Sequence, residues 1–497
     1  MAQALEARAA APDGLGVVVG RAGAKLVSTY FDTPDRALAR QGLTMRVRQR
    51  NGHFLQTVKS TGADGIVASR GEWEDATTSA APDPQAAHTG RFLPATLVER
   101  LVPQFRTEIS RRTIELRPAP DTRIEAAIDR GRLYAPARDA SEAVNEVELE
   151  LKSGSAAALF DVALELLAVA PVRLELRSKA ERGYHLAAAE ATPVAPAHAA
   201  PVDLEPGLSG DEALRCIGTA CIDQILGNEA AVLAGEPEGV HQMRVAVRRL
   251  RAVLTAFAKL LPADQRRRGS DELRWLANAL GAARNLDVFE KSLLAAAPAA
   301  GAEPAGLEAL REALSRRQKA AYAEAKKAVR STRYTGLLLR LLRWFEGCDW
   351  RGRVVAQELK QPIGSLAVAI LDRRQRKVKR GSDGFARQSA KQRHRLRIAL
   401  KQQRYAIEVL GTLYPQREVG RFTERLKRLQ DDLGDANDLR VGRDILAALA
   451  MRAGKGEALA AAGKSALDWQ ERRLASHEPR LRKRLDRLLD AEPFWQR

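Results

Sequence analysis

The chain has 497 residues, of which 45% are hydrophobic and 29% are charged. That length fits about two to four domains, and that composition fits a soluble globular protein with buried cores. No run of about 18 apolar residues occurs, so we expect no membrane span, and the N-terminus lacks the basic and apolar segments of a secretory signal. Three cysteines without zinc-binding spacing exclude a disulfide framework and fit a reducing cytoplasm.

The formal net charge of +19 lies entirely in the second part of the chain. Residues 1–200 hold 25 basic and 25 acidic residues, whereas the whole chain holds 81 basic and 62 acidic ones. This asymmetry predicts two modules, of which the second binds a polyanion such as nucleic acid, polyphosphate or an anionic membrane. Aromatic residues make up only 5%, which disfavours binding of single-stranded nucleic acid, because such proteins stack bases on aromatic rings.

Residues 26–185 are predicted to form mostly strands, and the clearest pair is Leu43–Arg50 with His53–Lys59. Asn51-Gly52 between them favours a two-residue hairpin, because both turn positions need a positive φ. The register pairs Arg50 with His53 and so places four cations on one face of the sheet. These cations are Arg46, Arg48, Arg50 and Lys59.

Further strands with one charged face are predicted at Arg70–Glu74, Arg123–Asp129, Asn145–Lys152 and Arg173–Arg177. A single helix is predicted at about Ala156–Val169, with Ser155 as its N-cap. Antiparallel strands of this kind predict a closed barrel with a charged bore. Carboxylates beside arginine and lysine in such a bore would hold Mg²⁺ or Mn²⁺ and clamp phosphates, and a solvated, salt-bridged sheet face is the alternative.

An Ala- and Pro-rich segment separates the strands from a region with helical periodicity. We therefore expect an α+β protein with an N-terminal domain at 1–188, a linker at 189–209 and a helical domain at 210–497. The helical domain contains an internal repeat, since HQMRVAVRRLRAVL at His241 recurs as HRLRIALKQQRYAI at His394, and LGAARNLDV recurs as LGDANDLRV with the same offset of 153 residues. Duplication predicts a helical bundle with pseudo-twofold symmetry, with repeats at about 211–345 and 362–497.

Each repeated helix carries cationic or potentially cationic side chains at i, i+3, i+7 and i+10, which form one stripe on a helix. The stripes are His241, Arg244, Arg248 and Arg251 in the first repeat, and His394, Arg397, Lys401 and Arg404 in the second. A solvated basic face is the alternative, but repetition with histidine in the lead favours a basic channel for a linear polyanion. Arginine and lysine would bond phosphate oxygens, and histidine would add pH dependence.

The second repeated motif has two interpretations that the sequence leaves open. Its polar residues orient the neighbouring basic groups, or the motif is a plain turn or helix end. Three cations on the helices before these motifs would line the same groove or lie on an ordinary surface. They are Arg274, Lys427 and Arg428.

These motifs resemble two known families. YFDTPDRALARQGLTMRVRQR (Tyr30–Arg50), EVELELKSG (Glu146–Gly154) and RSKAERGY (Arg177–Tyr184) resemble the CYTH superfamily of triphosphate tunnel enzymes. The repeated motif of the form HxxRVxxRRLR resembles the CHAD domain, the conserved-histidine α-helical domain. The tandem arrangement is similar to bacterial CYTH–CHAD proteins related to inorganic triphosphatase.

The resemblance implies an antiparallel tunnel that hydrolyses inorganic triphosphate with Mg²⁺ or Mn²⁺, and a helical domain that binds inorganic polyphosphate. It further implies a cytoplasmic protein, at polyphosphate granules where these form, with nucleic acid a weaker candidate partner. The implied phosphate contacts are Arg46, Arg48, Lys59, Arg70, Arg111, Lys179 and Arg182. The implied metal and water candidates are Glu72, Glu74, Glu125, Asp129, Glu146, Glu148 and Glu150. Glu148, Glu150 and Lys179 are expected to act in catalysis.

One departure from the CYTH pattern concerns the beginning of the chain. The family opens with a strand carrying the signature ExExK, and no such strand precedes Tyr30. Glu148–Lys152 matches the signature literally but holds the place of a later strand. Either the coding start lies upstream of Met1, or the chain has lost a strand and with it catalysis. The two corresponding functions are an active triphosphatase and a catalytically inactive polyphosphate-binding protein with a vestigial tunnel.

Overall fold

The computed structural model describes residues 19–20, 23–60, 71–188, 194–294, 299–451 and 456–496. The chain divides into two compact units, Met1–Val194 and Ala195–Arg497, which we call the N-terminal unit and the helical unit. An antiparallel sheet dominates the first and helices make up the second, so the expected α+β organisation is confirmed. Within the described residues, no helix is both long enough and apolar enough to cross a membrane.

The N-terminal unit is built on one antiparallel sheet whose strands follow the order β5-β4-β3-β2-β6-β7-β8, with β1 paired to β6. The strands are β1 (Val19–Gly20), β2 (Ala24–Asp32), β3 (Leu43–Arg50), β4 (His53–Ser60), β5 (Glu72–Thr77), β6 (Val102–Ala119), β7 (Thr122–Ala135) and β8 (Ala140–Ser153). No pairing within the described residues joins β5 to β8, the two ends of this order. The CYTH pattern places its ExExK strand before Tyr30, where the sequence has no such motif, and residues 1–18 of that stretch lie outside the described residues.

The hairpin of β3 and β4 has the predicted register along its whole length. Its turn residues Asn51 and Gly52 have φ values of 51° and 82°, the positive values that a tight hairpin turn needs. Because successive side chains of a strand point to opposite faces, Met45 and Val47 enter an apolar core while the arginines of β3 line the other face. The hairpin thus fixes which face of the sheet carries charge.

Among the described residues of this unit, four helices pack on the sheet: α1 (Ala37–Arg40), α2 (Ala95–Val98), α3 (Ala157–Val169) and α4 (Lys179–Leu186). Helix α3, predicted from the sequence, buries Val162 and Leu166 against isoleucines of β6 and β7 on the apolar face. Each fully buried aliphatic side chain of this kind contributes about 1.5–3 kcal/mol. This face is therefore closed to ligands, and the charged face is left to carry the chemistry.

Helix α4 was not predicted, and the expectation of a single helix in this unit is wrong. Ser178 and Glu181 form a capping box at its start, with each side chain bonded to the other's backbone N–H, which was a signal available in the sequence. Ala180 and Tyr184 pack α4 against the apolar end of the charged face. Gly183 permits this approach, because a Cβ there would lie 2.1 Å from the ring of Phe105.

The predicted strand at Arg173–Arg177 is also wrong, since this segment is extended but forms no strand. The backbone N–H of Arg177 donates to the side chain of Glu175 at 3.0 Å. The guanidinium of Arg177 folds back onto the same carboxylate. These local bonds replace the ladder bonds that a strand would form with a neighbour.

The helical unit contains eleven helices within its described residues. They are α5 (Gly210–Gly227), α6 (Glu229–Ala234), α7 (Pro237–Ala256), α8 (Ala263–Ala279), α9 (Gly281–Phe289), α10 (Pro304–Val329), α11 (Thr332–Glu346), α12 (Ile363–Ser382), α13 (Ala390–Leu410), α14 (Gln416–Ala450) and α15 (Gly456–Leu489). Several starts repeat at the 153-residue offset, since α5, α7 and α8 correspond to α12, α13 and α14. The break between α8 and α9 has no counterpart in the longer α14.

The two repeats meet at a pair of equivalent residues. Ser209 forms an isolated antiparallel bridge with Pro362, its counterpart at the same offset. The N–H of Gly210 donates to the carbonyl of Gln361 at 2.9 Å, and the N–H of Ile363 donates to the carbonyl of Leu208 at 2.7 Å. These bonds exchange when the repeats are exchanged, so a pseudo-twofold axis passes between them.

The described part of the expected linker packs on the helical unit. Val202 and Leu204 are buried. The amide of Asn228 accepts from the N–H of Ala197 at 3.1 Å and donates to its carbonyl at 2.8 Å. The segment from Ala195 onwards therefore belongs structurally to the helical unit, as the division of the chain also shows.

Candidate functional site

Strand register brings the first group of charged residues together in the N-terminal unit. Arg111 of β6 lies opposite Asp129 of β7, and Asp129 lies opposite Glu146 of β8. Glu148 follows on the same face of β8 because side chains alternate along a strand. We call Asp129, Glu146 and Glu148 the carboxylate trio.

Helix α4 places Lys179 at the centre of the carboxylate trio. Its ammonium Nζ lies 2.7 Å from an oxygen of Asp129 and 2.8 Å from an oxygen of Glu148, and it also contacts Glu146. One turn later, Arg182 donates to Glu146 at 2.6 Å and to Glu142 at 2.8 Å. The unpredicted helix thus supplies two of the cations that the family resemblance implied.

Arg111 of β6 is the third cation that contacts the carboxylate trio. Its guanidinium donates to both oxygens of Asp129, at 2.7 and 2.6 Å, and to Glu148 at 2.5 Å. Asp129 has no exposed surface at all. A buried carboxylate of this kind is stable only when cations and hydrogen bonds compensate for the loss of water.

Glu148 of the trio is ionised at neutral pH. Burial acts to raise the pKa of Glu148, but the nearby charges of Lys179 and Arg111 outweigh it and lower that pKa to about 2. One carboxylate oxygen from each member lies within 4.8 Å of the others, so the three could hold one metal ion. Oxygen donors in this number fit Mg²⁺ or Mn²⁺, both of which prefer carboxylates.

Arg46 and Arg48 lie beside this network with few partners of their own. Arg48 donates to the hydroxyl of Ser28 at 3.1 Å. Burial, together with the like charges of Arg46 and Arg111, lowers the pKa of Arg48 to about 10. The Nε of Arg46 is buried and has no hydrogen-bond partner within the described residues. Both arginines therefore have donors free for an anionic ligand.

Strands β4 and β5 contribute a second group of charged residues, which is smaller than the network around the carboxylate trio. Lys59 lies 2.7 Å from Glu72, and Arg46 approaches the same carboxylate at 3.7 Å. Glu74 instead accepts a hydrogen bond from Thr57 at 3.0 Å. Glu72 and Glu74 thus line the same face but do not join the carboxylate trio.

Two other predicted residues are not brought to the trio. Glu150 pairs with Lys152 at 2.5 Å, and its side chain is 64% exposed. Glu125 lies opposite Glu150, farther along the sheet. Arg70 lies outside the described residues. Position along β8 thus separates Glu150 from Glu148, although the sequence pattern makes the two look equivalent.

In the helical unit, one residue of the first basic stripe and three of the second line the same cavity. Helices α7 and α13 pack against each other. The cavity has a volume of about 330 Å³ and is lined by Arg248, Arg397, Lys401, Arg404, Tyr405, Lys427, Gln430, Asp431, Gly434 and Asp438. Of the remaining stripe residues, Arg244 and His241 adjoin Arg248, whereas Arg251 and His394 do not line the cavity.

The stripes crowd like charges in partly buried positions. Burial, then Arg397 and Arg248, lowers the pKa of Lys401 to about 7. Burial and Arg284 lower the pKa of His241 to about 4, so this imidazole is neutral at pH 7. Buried donor atoms without a hydrogen-bond partner in the described residues include the Nε atoms of Arg244, Arg248, Arg397 and Arg404. Such donors predict an anionic ligand.

The second repeated motif supports these stripes through its glycine. A Cβ on Gly281 would lie 3.1 Å from a guanidinium nitrogen of Arg244, and one on the equivalent Gly434 would lie 3.9 Å from Arg397. In both repeats the glycine leaves room for the equivalent arginine. Among the three cations that precede the motifs, Lys427 lines the cavity, whereas Arg274 and Arg428 pair with acidic residues of their own helices.

Comparison with known proteins divides the chain in the same way. A model of the CYTH domain family matches residues 22–184, and a model of the CHAD domain family matches residues 216–447. A crystal structure of the CHAD domain from the plant Ricinus communis superposes with a TM-score of 0.52 at 29% identity, covering 60% of this chain and 98% of that one.

Two curated relatives each match one part of the chain. The inorganic triphosphatase of Haemophilus influenzae is 32% identical over 167 residues, which is 32% of this chain and 46% of that protein. An uncharacterized protein of Mycobacterium tuberculosis is 28% identical over 238 residues, which is 45% of this chain and 43% of that protein. The chain thus spans about half the length of these curated relatives.

Proposed function

Because the chain contains a CYTH domain followed by a CHAD domain, we propose that it is a metal-dependent inorganic triphosphatase whose helical unit binds inorganic polyphosphate. The reaction is hydrolysis of triphosphate: water attacks a terminal phosphorus, the bond to the bridging oxygen breaks, and phosphate and diphosphate leave. The observation that carries this proposal is the carboxylate trio, of which Asp129 is buried, beside arginines with unpaired donors.

Each group in the N-terminal unit has a role that follows from its surroundings. Asp129, Glu146 and Glu148 would hold the metal, which when bound would polarise phosphoryl oxygens. Arg46 and Arg48 would donate their free N–H groups to phosphate oxygens, in charge-assisted bonds. Lys179 and Arg111 keep Glu148 ionised, so a metal ion meets a carboxylate that need not release a proton.

Glu148→Gln tests the catalytic proposal, and Glu150→Gln is its matched control on the same strand. We expect Glu148→Gln to reduce phosphate release from triphosphate by at least about 10³-fold with Mg²⁺ or Mn²⁺, since charge stabilisation of the transition state is commonly worth this much. Glu150→Gln should retain activity within about threefold. Equal losses in the two variants would contradict the assignment of Glu148 to the trio.

A second candidate function is polyphosphate binding without catalysis. The observation in its favour is that Lys179, Arg111 and Arg182 already balance the three carboxylates through direct ion pairs, so the site is satisfied without metal. Under this hypothesis the purified chain binds polyphosphate but releases no phosphate from triphosphate with either metal. Release that depends on Glu148 would eliminate this alternative.

Polyphosphate binding is supported by the cavity that α13, α14 and Arg248 of α7 line. Its lining combines four cations of the two stripes with donors that lack partners, and phosphate oxygens are the acceptors that satisfy such donors best. Association with polyphosphate granules in the cytoplasm is part of the same proposal.

Charge removal in the cavity tests this second activity. Arg397→Gln with Lys401→Gln should weaken polyphosphate binding at least about 30-fold, since truncating buried charge contacts costs about 2 kcal/mol or more. Arg274→Gln with Arg428→Gln removes the same charge from residues paired on their own helices, and affinity should fall less than about threefold. Equal losses would mean that only net charge matters.

A further inference from the structure

Tyr184, in the last turn of helix α4, is bonded to the last residue of strand β2. Its hydroxyl donates a hydrogen bond to a carboxylate oxygen of Asp32 at 2.9 Å, and the two residues are 152 positions apart in sequence. Asp32 has no exposed surface, and Tyr184 is 9% exposed. A hydrogen bond to a carboxylate is stronger than one between neutral groups. This bond, which we call the α4 anchor, therefore fixes the end of the helix on the sheet.

Asp32 is itself held in place by the backbone around helix α1. One of its carboxylate oxygens accepts from the N–H of Thr33 at 2.8 Å and from that of Leu38 at 2.9 Å. The other oxygen accepts from the N–H of Ala39 at 3.0 Å. These three bonds do not involve Tyr184, so the carboxylate keeps its place and its backbone partners when the tyrosine hydroxyl is removed.

The ring of Tyr184 is held by contacts that do not need its hydroxyl. It packs edge-on against Phe105 with ring centroids 5.2 Å apart, and the guanidinium of Arg36 lies 5.6 Å from its centroid. Burial, together with the charge of Asp32, raises the pKa of Tyr184, so the hydroxyl keeps the proton that it donates. Tyr184→Phe should therefore preserve the packing of α4 and remove only the anchor.

The other end of α4 carries Lys179, the first residue of the helix. Its ammonium group contacts all three members of the carboxylate trio, and its side chain is 11% exposed. Lys179 and Tyr184 are five positions apart, about 7.5 Å along the helix axis. A helix this short moves as one piece, so the bond that fixes Tyr184 also fixes Lys179. The ammonium group thus occupies the space between the carboxylates that could hold a metal ion.

We propose that the α4 anchor positions Lys179 as an internal cation of the carboxylate trio, which a divalent metal has to displace. Tyr184 and Asp32 are positioning residues, since within the described residues neither forms a hydrogen bond or an ion pair with the trio. The proposal rests on the metal site of the proposed function. Its consequence has a definite sign: loosening the anchor should tighten metal binding, whereas damage to the fold would weaken it.

The expected size of the effect follows from the anchor's contribution to one equilibrium. A hydrogen bond to a charged group shifts an equilibrium by about tenfold or more. Metal binds only the arrangement from which Lys179 has withdrawn, so its apparent Kd falls in proportion as that arrangement becomes more populated. The same arrangement exposes the Lys179 amine to reagents. Metal affinity and amine reactivity should therefore rise together, each by about tenfold.

The experiment compares Tyr184→Phe with Tyr134→Phe in the full chain. Both substitutions remove one phenolic hydroxyl, but Tyr134 lies five positions after Asp129 on β7 and so on the opposite face of the sheet. Acetylation of the Lys179 amine is followed by peptide mass spectrometry in metal-free protein, with the exposed Lys25 as an internal reference. Mn²⁺ affinity is measured by calorimetry, without triphosphate.

We expect Tyr184→Phe to accelerate Lys179 acetylation by about tenfold and to tighten Mn²⁺ binding by about the same factor. Tyr134→Phe should change both by less than about twofold. In a Lys179→Met background, Tyr184→Phe should no longer affect Mn²⁺ affinity, because no amine is left to withdraw. An effect of the same size in that background would contradict a role through Lys179.

The wild-type chain provides a measurement that needs no variant at Tyr184. Saturating Mn²⁺ should itself accelerate acetylation of Lys179, because the metal displaces the amine, and Glu148→Gln should abolish this response. Protection of Lys179 by Mn²⁺ would overturn displacement, as would weaker Mn²⁺ binding in Tyr184→Phe.

Unchanged acetylation of Lys179 in Tyr184→Phe would overturn the anchor, whatever the chain does with triphosphate. The proposed function fails by a different result. If the acetylation and Mn²⁺ responses are as expected but no phosphate is released from triphosphate, catalysis is contradicted and the anchor stands.

Discussion

The two units differ in how far the charges at their candidate sites are balanced by opposite charges. In the N-terminal unit, Arg111 and Lys179 lie against three carboxylates, and the buried Asp129 contacts both cations. In the helical cavity, Lys401 is partly buried beside Arg397 and Arg248, and burial together with these two charges lowers the pKa of Lys401 to about 7. One site is neutralised internally, whereas the other is left with an excess of positive charge.

This difference in charge balance determines which contacts a ligand must break to bind at each site. A metal entering the carboxylate trio has to displace or share the contacts of Lys179, so its binding is an exchange of one cation for another. An anion entering the helical cavity relieves the repulsion of Lys401 by Arg397 and Arg248. Removing any carboxylate of the first site should therefore lower the free energy of unfolding, because each one balances a cation. Removing a cation of the second site should raise it, because the cations repel one another.

The largest expected effect is the loss of one carboxylate from the internally neutral site. Asp129→Asn leaves Arg111 and Lys179 short of a buried counter-charge, and we expect about 3 kcal/mol of destabilisation. Hydrogen exchange of β7 amides measures this locally. Glu150→Gln, on the neighbouring strand but exposed, should cost less than about 0.5 kcal/mol. Unchanged exchange in Asp129→Asn would show that the trio does not depend on its ion pairs.

The next effect is the pH dependence of polyphosphate binding. The pKa of Lys401 is about 7, and an anion binds its protonated form, so affinity should fall up to about tenfold per pH unit above that value. Burial and neighbouring arginines lower the pKa values of His241 and His394, so neither imidazole accounts for a titration above pH 7. Lys401→Arg should flatten the profile measured between pH 6 and pH 9 (about one unit below and two above that pKa). A profile that Lys401→Arg leaves unchanged would assign the titration to the phosphates.

A smaller effect concerns stability of the ligand-free helical unit. Lys401→Met removes a partly buried cation without an ion pair in the described residues, so we expect stabilisation by about 1 kcal/mol at pH 7, together with weaker polyphosphate binding. The unfolded chain binds the extra proton between pH 7 and about 10, so wild-type stability should rise with pH across that window and the variant should lose this slope. Lys427→Met, at an exposed position of the same cavity, is the control and should leave stability unchanged. If Lys401→Met destabilises the protein, the packing contacts of Lys401 contribute more to stability than its charge repulsion costs.

Local chemistry made part of this fold predictable. The Asn51-Gly52 turn fixed the register of β3 and β4 residue by residue, because a two-residue loop allows one pairing. The two motifs at one offset predicted the duplication, and equivalent residues Ser209 and Pro362 indeed meet at its axis.

The sequence did not predict which of these charged residues contact one another in the folded protein. Because side chains alternate along a strand, Glu146, Glu148 and Glu150 lie on one face of β8. Only the packing of α4 on that face determines that Glu146 and Glu148 contact Lys179 and that Glu150 does not. Helix α4 itself was readable from its capping box, whereas its docking on the charged face depends on Gly183 and Phe105, which are 78 residues apart in sequence. Long-range packing of this kind leaves no periodic signal in the chain.

The smallest expected effect separates the two repeats from each other. A methyl group added at Gly281 would press on the guanidinium of Arg244, whereas at Gly434 it would only touch that of Arg397. Gly281→Ala should therefore shift Arg244 away from the carbonyl of Ala277, its hydrogen-bond acceptor, and weaken polyphosphate binding about twofold to threefold, on the order of 0.5 kcal/mol. Gly434→Ala should leave affinity unchanged when both are measured by calorimetry. If Gly434→Ala weakens binding as much as Gly281→Ala, the glycines act through helix packing common to both repeats rather than through the room they leave for each arginine.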